Sequence, residues 1–219
     1  MDTSTDAIIF TGANVFVQPG SGATDDGGSL YGLGNLIVGY DVDSSDDKSG
    51  SHNLVVGDGH TYASYGGLIA GYNNALTGEM TSILGGLSNE ASGSYATMAG
   101  GRSGVASGTY SSVNGGIGNQ ASGEYSVISA GYYNDATGPK SVISAGIYNE
   151  ASGSYSSVSG DYSNLASNYD SVVVGGFDST ASGYLSAVLG GVYNTASGDY
   201  STTQGGYGND NSGTYSYGP

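Results

Sequence analysis

A fifteen-residue repeat governs most of this chain. With Gly71 as position 0, steps of 15 land on Gly86, Gly101, Gly116, Gly131, Gly146, Asp161, Gly176, Gly191 and Gly206. Nine of these ten sites are Gly in a chain with 42 Gly among 219 residues, so the phase is not chance. Position 3 is Asn in eight copies, position 5 is Ala from Ala91 through Ala196, and position 6 is always Ser or Thr. Position 7 is Gly except at Asn168, position 9 is Tyr in six copies, and position 12 is aliphatic or Met from Ile83 through Val188. The unit is G-x-x-N-x-A-S-G-x-Y-S-x-V-x-G. Self-similarity at a fixed period marks a repeat architecture, in which each unit buries its apolar face against its neighbours.

The unit holds a second symmetry. Positions 3, 5 and 7 are Asn, Ala and Gly; positions 10, 12 and 14 are Ser, Val and Gly or Ala. Each half is polar-x-apolar-x-small, and alternation with period two is the strand signature. Gly closes each half where a turn or a close backbone approach is expected. Asn168 fits a turn with positive φ, which Asn tolerates better than most residues. The pattern predicts an all-β fold: a single-stranded parallel β-solenoid, or β-roll, with 15-residue coils and two short strands per coil. Residues 71–219 form the regular part.

Residues 31–70 carry the same phrase at looser spacing, as Asn35–Gly39, Asn53–Gly57 and Gly67–Gly71, with an insertion over 40–50. Gly67–Gly71 aligns with Ser82–Gly86, a step of 15. Residues 1–30 are expected to be an N-terminal cap, with strands at Ala7–Phe10 and Asn14–Gln18, shielding the first coil from edge pairing. About 12 coils at about 4.8 Å give a rod roughly 55–60 Å long.

Composition excludes other classes. The longest stretch without Gly is Asp161–Val174, and each interior Gly costs a helix about 1 kcal/mol, so long helices are out. Gly does not recur every third residue and Pro is scarce, so collagen is out. No run of about 20 apolar residues exists for a membrane-spanning helix. Nineteen acidic residues face three basic ones, Lys48, Arg102 and Lys140, for a net charge of −16. That balance argues against nucleic acid and against an anionic membrane surface as partners. Cys is absent, so no disulfide forms. The acidic start, Met1 to Asp6, lacks the basic region of a secretory leader. No Ser-His-Asp order, HExxH or P-loop appears, so an enzyme is not expected.

The coil interior is thin: one Ala at position 5, one Val or Ile at position 12, and a mixed apolar row at position 1 from Leu87 to Tyr207. Positions 11 and 13, facing away from position 12, are apolar in places: Leu84, Val127, Val142, Val172, Val174 and Leu189. This outer row is expected to be an intersubunit seam rather than a set of ordinary exposed strand residues. The phrase N-x-A-S-G-x-Y-S-x-V-x-G-G, over roughly residues 30–219, resembles the head repeats of trimeric autotransporter adhesins of the YadA type. That resemblance implies a trimeric, left-handed parallel β-roll on the cell surface or outside the cell, binding host-surface or matrix proteins. Similar heads occur in viral and contractile-tail fibres, which implies a structural spacer or a glycan-binding tip as the alternative. Two departures stand out: the period is 15 and Tyr-rich, where the family more often has about 14 residues with more Ala, and the helical stalk and membrane barrel are not present.

Tyr at position 9 is the first candidate site. Tyr95, Tyr110, Tyr125, Tyr155 and Tyr200 would form a ladder that packs sugar rings or a partner's apolar surface, or else a stack that only stabilises the roll or its trimer seam. In the insertion, Asp41, Asp43, Asp46 and Asp47 offer oxygen ligands for Ca²⁺, yet Asp46 sits where an EF-hand loop requires Gly, so a solvated loop is the plainer reading. His52 and His60 flank Asn53–Val56 with no third metal ligand marked. The Ser/Thr row at position 6 admits a third function class, an ice-binding face, although such faces favour Thr over the Ser that dominates here.

Overall fold

The computed structural model describes residues 8–42 and 45–218 and is a parallel β-solenoid of about 12 coils. One sheet has 13 strands, from Leu36–Val38 to Tyr217–Gly218, and carries positions 11 and 12 of each unit. The other has 11 strands, from Thr61–Tyr62 to Asp210–Asn211, and carries positions 4 and 5. Every strand pairs in parallel with the strand one coil away, as in Ser112↔Val127 and Gln120↔Asp135. A third ladder of single bridges runs along position 1, from Tyr72↔Leu87 to Val192↔Tyr207. Among the described residues there is no α-helix, only a 3-10 turn at Asp26–Gly28.

Alternation within each short strand places positions 3, 5, 10 and 12 inside. The Ala column from Ala91 to Ala196 and the aliphatic column from Val55 through Ile83 to Val188 are fully buried and face one another across the two sheets. Position 1 departs from expectation. It lies on an outer corner, with Tyr132, Tyr162 and Phe177 about two-fifths exposed, because the chain turns outward at position 0 before re-entering at position 3. The apolar candidates at positions 11 and 13 do face away from the core, and Leu84, Val174 and Leu189 are exposed.

A buried Asn column closes the interior beside the Ala row. The backbone N–H of Asn134 donates to Asn119 Oδ1 at 3.0 Å, and Asn134 Nδ2 donates to the carbonyls of Ala130 at 3.3 Å and Gly146 at 2.9 Å. The same three bonds recur at Asn149 and Asn164. A buried amide in a thin core is tolerable because its polar atoms are satisfied, which removes the 1–3 kcal/mol penalty of an orphaned group. His60 occupies this column in an early coil. Its Nδ1 accepts the Asn74 backbone N–H at 3.3 Å, and its Nε2 lies 3.2 Å from the Val56 carbonyl. The imidazole thus reproduces the acceptor-and-donor pair of an Asn, with the Nε2-protonated tautomer assigned by those partners. Nδ1 and Nε2 are both committed to backbone groups, which leaves no free lone pair for a metal.

Close packing, not positive φ, explains Gly at position 7. A Cβ on Gly93, Gly108 or Gly123 would stand 2.1–2.2 Å from the carbonyl oxygen of the Gly one coil on. Asn168 is absent from the positive-φ residues, so the reading of it as a left-handed replacement is corrected; its Nδ2 bonds the Ser182 carbonyl instead, at 2.9 Å. Asp161, at position 0, keeps positive φ and accepts the Gly176 N–H at 2.9 Å, so this coil stays in register.

Position 14 is no counterpart of position 7. A Cβ on Gly85, Gly100 or Gly115 would meet nothing within 4 Å. This residue is an outward corner, an extra residue of the bulge kind. The early coils show what it does. Leu54 pairs with Leu68 and Leu68 with Ser82, steps of 14, and the strands there run five residues, Leu54–Asp58 and Leu68–Tyr72, straight through the corner. Where the fifteenth residue is present, the strand divides into a two-residue strand and the isolated bridge. The expected step of 15 from Gly67–Gly71 to Ser82–Gly86 is therefore corrected by one residue in the strand, because Ile69 pairs with Ile83 while Gly71 stacks on Gly86.

The N-terminal segment also departs from expectation. Neither Ile8–Phe10 nor Asn14–Gln18 is a strand, and Ala7 lies outside the described residues. The segment is pinned by Asp26, which accepts from Ser51 and Ser21 hydroxyls, and Val15–Gly20 with Gly22–Thr24 and His52 line an open cleft of about 550 Å³. It leaves the end of the core open: Ile37 is 45% exposed, against 0% for Val55 one coil further in. At the other end the core turns polar. Thr203 and Asn211 replace the Val and Ala, and bond one another and the carbonyls of Thr195 and Thr202.

Candidate functional site

The position-9 tyrosines stand on a tight turn. The N–H of position 10 donates to the carbonyl of position 7, as Ser111 does to Gly108 at 3.0 Å, and position 9 has positive φ: 61° at Tyr95, 58° at Tyr110, 58° at Tyr125. A turn of this form normally takes Gly or Asn there. Placing Tyr in the left-handed region costs about 1–2 kcal/mol per residue. The backbone bonds between coils hold this conformation whatever the side chain, as Met80, Lys140, Asp170 and Leu185 share it, and ring stacking adds to them where Tyr is present. Tyr95 and Tyr110 lie with centroids 4.8 Å apart and planes 8° from parallel; Tyr110 and Tyr125 are at 4.9 Å and 5°. Aromatic pairs add about 0.5–1.5 kcal/mol beyond area burial.

The ladder continues in a way the period hides. Lys140 holds position 9 in the next coil, and beyond Tyr155 the row passes to Tyr169 and Tyr184 at position 8 before returning to Tyr200 and Tyr215. Positions 8 and 9 share one corner, so an aromatic at either joins the same ridge. Lys140 Nζ donates to Tyr155 Oη at 2.7 Å and sits 4.7 Å from the ring centroid. The bond to Tyr155 holds the ammonium pKa up, and the Glu124 carboxylate adds to that. At the start of the ridge, Tyr65 Oη donates to Glu79 at 2.6 Å, which pushes the Tyr65 phenol up to about 12.

A second ridge follows position 1, which the sequence reading placed inside, together with position 2. Tyr132, Tyr133, Tyr148, Tyr162, Phe177, Tyr193 and Tyr207 form a continuous chain of ring contacts. Most of these are edge-to-face, 82–88° between planes, while Tyr133 and Tyr148 stack at 15° and Tyr162 and Phe177 at 8°. The first ridge is stacked over Tyr95, Tyr110 and Tyr125, where the rings cover one another's faces, and again at Tyr169–Tyr184 and Tyr200–Tyr215, but Tyr155–Tyr169 is tilted by 57° and Tyr184–Tyr200 is edge-to-face at 73°. Exposure does not separate the two: Tyr95, Tyr110 and Tyr125 are each 45% exposed and Tyr133 and Tyr148 48% and 50%, so both ridges offer aromatic surface to a partner, and the second was not among the sequence candidates. The signal for it lay in the adjacent pair Tyr132-Tyr133 and in Tyr148 and Tyr193, which sit one residue out of the position-1 row.

The Asp-rich insertion is tied to the coils. Asp41 pairs with Lys48 at 3.1 Å and accepts the His60 backbone N–H at 2.9 Å. Asp47 accepts the Ser49 N–H at 2.9 Å and Asp46 the Thr61 hydroxyl at 3.5 Å. Asp43 lies outside the described residues. Among the described residues, no group of three or more His, Asp or Glu stands close enough to hold a metal ion. Burial of the Tyr62 ring, and then the nearby Asp41 carboxylate, push the Tyr62 phenol up to about 12.

No protein-family model matches the chain, and comparison with curated proteins gives no match either. The likeness of the repeat to adhesin heads therefore stands on the wording of the unit and on the β-solenoid fold.

Proposed function

We propose that this chain is a non-enzymatic, extracellular adhesive or receptor-binding head that acts as a homotrimer. Its mechanism is display: a rigid rod presents the same side chain once per coil to a host-surface protein, matrix protein or glycan. The observation that carries this reading is the pair of exposed aromatic ridges running coil after coil. Contiguous exposed apolar rows of this extent mark interaction surfaces more often than solvent-facing decoration. The outward row with Leu84, Val142, Val174 and Leu189 is the proposed trimer seam. The test replaces Tyr133 and Tyr148 by Ala and measures binding to cells and to a glycan panel, with melting temperature as control. Lost binding at unchanged melting supports the reading; unchanged binding refutes it for this ridge. A mass in solution equal to one chain would remove the trimer.

The face-covering stack of Tyr95, Tyr110 and Tyr125 favours a second reading, a spacer within a viral or contractile-tail fibre, for which that ridge serves stiffness. In that case Tyr110→Ala lowers the melting temperature and leaves surface binding unchanged.

A further inference from the structure

The position-8/9 ridge has a chemistry that its stacked rings conceal. Where the rings stack, as at Tyr95, Tyr110 and Tyr125, they present edges and phenol oxygens, and a Tyr recurs on this corner in every coil from Tyr95 to Tyr215 but that of Lys140. Among them stand carboxylates at the same corner: Glu79, Glu124, Asp170 and Asp199. Lys140 is the one basic residue on this corner. The strip is rich in acceptors and negative charge, on a rod of net charge −16. Its natural complement is a donor-rich cation. The molecule holds one such contact already: the Lys140 ammonium occupies a position-9 slot, bonded to Tyr155 Oη at 2.7 Å and lying 4.7 Å from the ring centroid. An ammonium has three donors and a guanidinium five, and both are drawn to phenol oxygen, carboxylate and ring π-density together.

We propose that this ridge is a docking strip for a Lys- or Arg-rich polypeptide segment laid along the rod. The inference rests on the reading of the rod as a binding surface and names the partner's chemistry. Two features favour a cationic polypeptide over other occupants. An acidic glycan meets a strip of like charge with a single Lys to answer it. A neutral glycan draws nothing from the charge of the strip, and packing on ring faces is blocked where Tyr95, Tyr110 and Tyr125 stack on one another. The rod's overall negative field would steer a cationic segment to it and make the association sensitive to salt.

The experiment uses the full chain and a labelled oligolysine of about ten residues, followed by fluorescence anisotropy at low and near-physiological ionic strength. Expected is saturable binding that weakens as salt rises. Glu124→Gln with Asp199→Asn removes two charges from the ridge and should weaken binding by about fivefold, the scale of two exposed charge contacts. Glu90→Gln with Glu150→Gln removes the same charge from the outer face of the 11-stranded sheet and should change affinity less than about twofold. Tyr110→Phe with Tyr125→Phe keeps the stack but deletes the oxygens, and should also weaken binding. All variants should melt as the parent does. Absence of oligolysine binding, or equal loss from both charge pairs, overturns the proposal. Surface binding by the rod that oligolysine does not compete away, and that the ridge substitutions leave intact, also overturns it while the adhesive reading stands. Retained oligolysine binding by a rod that adheres to no surface supports the strip and refutes the adhesive reading instead.

Discussion

Gly104 and Met98 are expected to form a coupled pair. At position 3, where eight other coils carry Asn, this coil has Gly104, and at position 12 the preceding turn carries Met98 in place of Val or Ile. A Cβ on Gly104 would stand 2.8 Å from Met98 Cε, so the methionine fills the space that an Asn side chain takes elsewhere. Gly104 still donates its N–H to Asn89 Oδ1 at 3.0 Å, but it has no side chain with which to continue the column toward Asn119. Gly104→Asn alone then overpacks the core and should cost about 1–3 kcal/mol, since the new amide cannot reach its three bonding sites past the methyl. Met98→Val alone leaves a void and should cost about 1–2 kcal/mol. Together they restore the arrangement of the neighbouring coils: the void receives the amide, and three hydrogen bonds at about 1 kcal/mol each become available. The double variant should be within about 1 kcal/mol of the parent or more stable, a coupling of about 2–3 kcal/mol. Urea unfolding followed by circular dichroism, with equal m-values across the four proteins, measures it. If the double loss equals the sum of the single losses within about 0.5 kcal/mol, the two side chains do not share one space and the reasoning is refuted.

Three further outcomes follow from the same geometry. Gly123→Ala places a Cβ 2.1 Å from the Gly138 carbonyl oxygen and forces a local shift of the kind made at Asn168, whose N–H bonds Ser171 Oγ in place of the Ala carbonyl one coil on, and should cost about 1–3 kcal/mol, whereas Gly115→Ala meets nothing within 4 Å and should be neutral or stabilising by about 0.5 kcal/mol; thermal melts of the two separate the roles of positions 7 and 14. Asn134→Ala opens the buried column and should cost about 2–3 kcal/mol in the same assay, with the loss recovered in part by Asn134→Ser, since Ser179 already holds that column in another coil. Burial first, and then the Glu150 charge directly above it in the ladder, raise the Asp135 carboxyl pKa. The folded state therefore holds that proton more tightly than the unfolded one, so this group's contribution to stability is largest in acid and falls as pH rises through its folded pKa. Asp135→Asn should raise the neutral-pH melting temperature, and the gain should vanish near pH 4.

The solenoid was legible because its determinants are local and repeated: Ala at position 5, an aliphatic at position 12 and Asn at position 3 recur at one period, and period-two alternation separates inside from outside. Three things escaped. The left-handed conformation of Tyr95 or Tyr110 has no signal in residue type, since Met80, Lys140, Asp170 and Leu185 adopt it at the same position and the backbone ladder between coils, not local preference, holds it. The single missing residue in the early coils could not be located by aligning Gly71 on Gly86, because the glycines keep step while the strand beside them shifts. Of the candidate residues, the position-9 tyrosines do form one row, but Tyr169 and Tyr184 belong to it as well, and the ridge through Tyr133 and Tyr148 was hidden because corner residues obey neither strand face.

The open corner at position 14 makes the rod a tape with one blank cell per coil. Ala130 and Ala145 already occupy two of those cells, with their coils in register on both sides. A side chain written there touches no neighbour's backbone, so the content of each cell can change while the lattice beneath it does not. Evolution, or a chemist placing cysteines for labels, can therefore set chemical groups along a line in steps of about 4.8 Å, the distance being kept by the sheet and the choice of group left free.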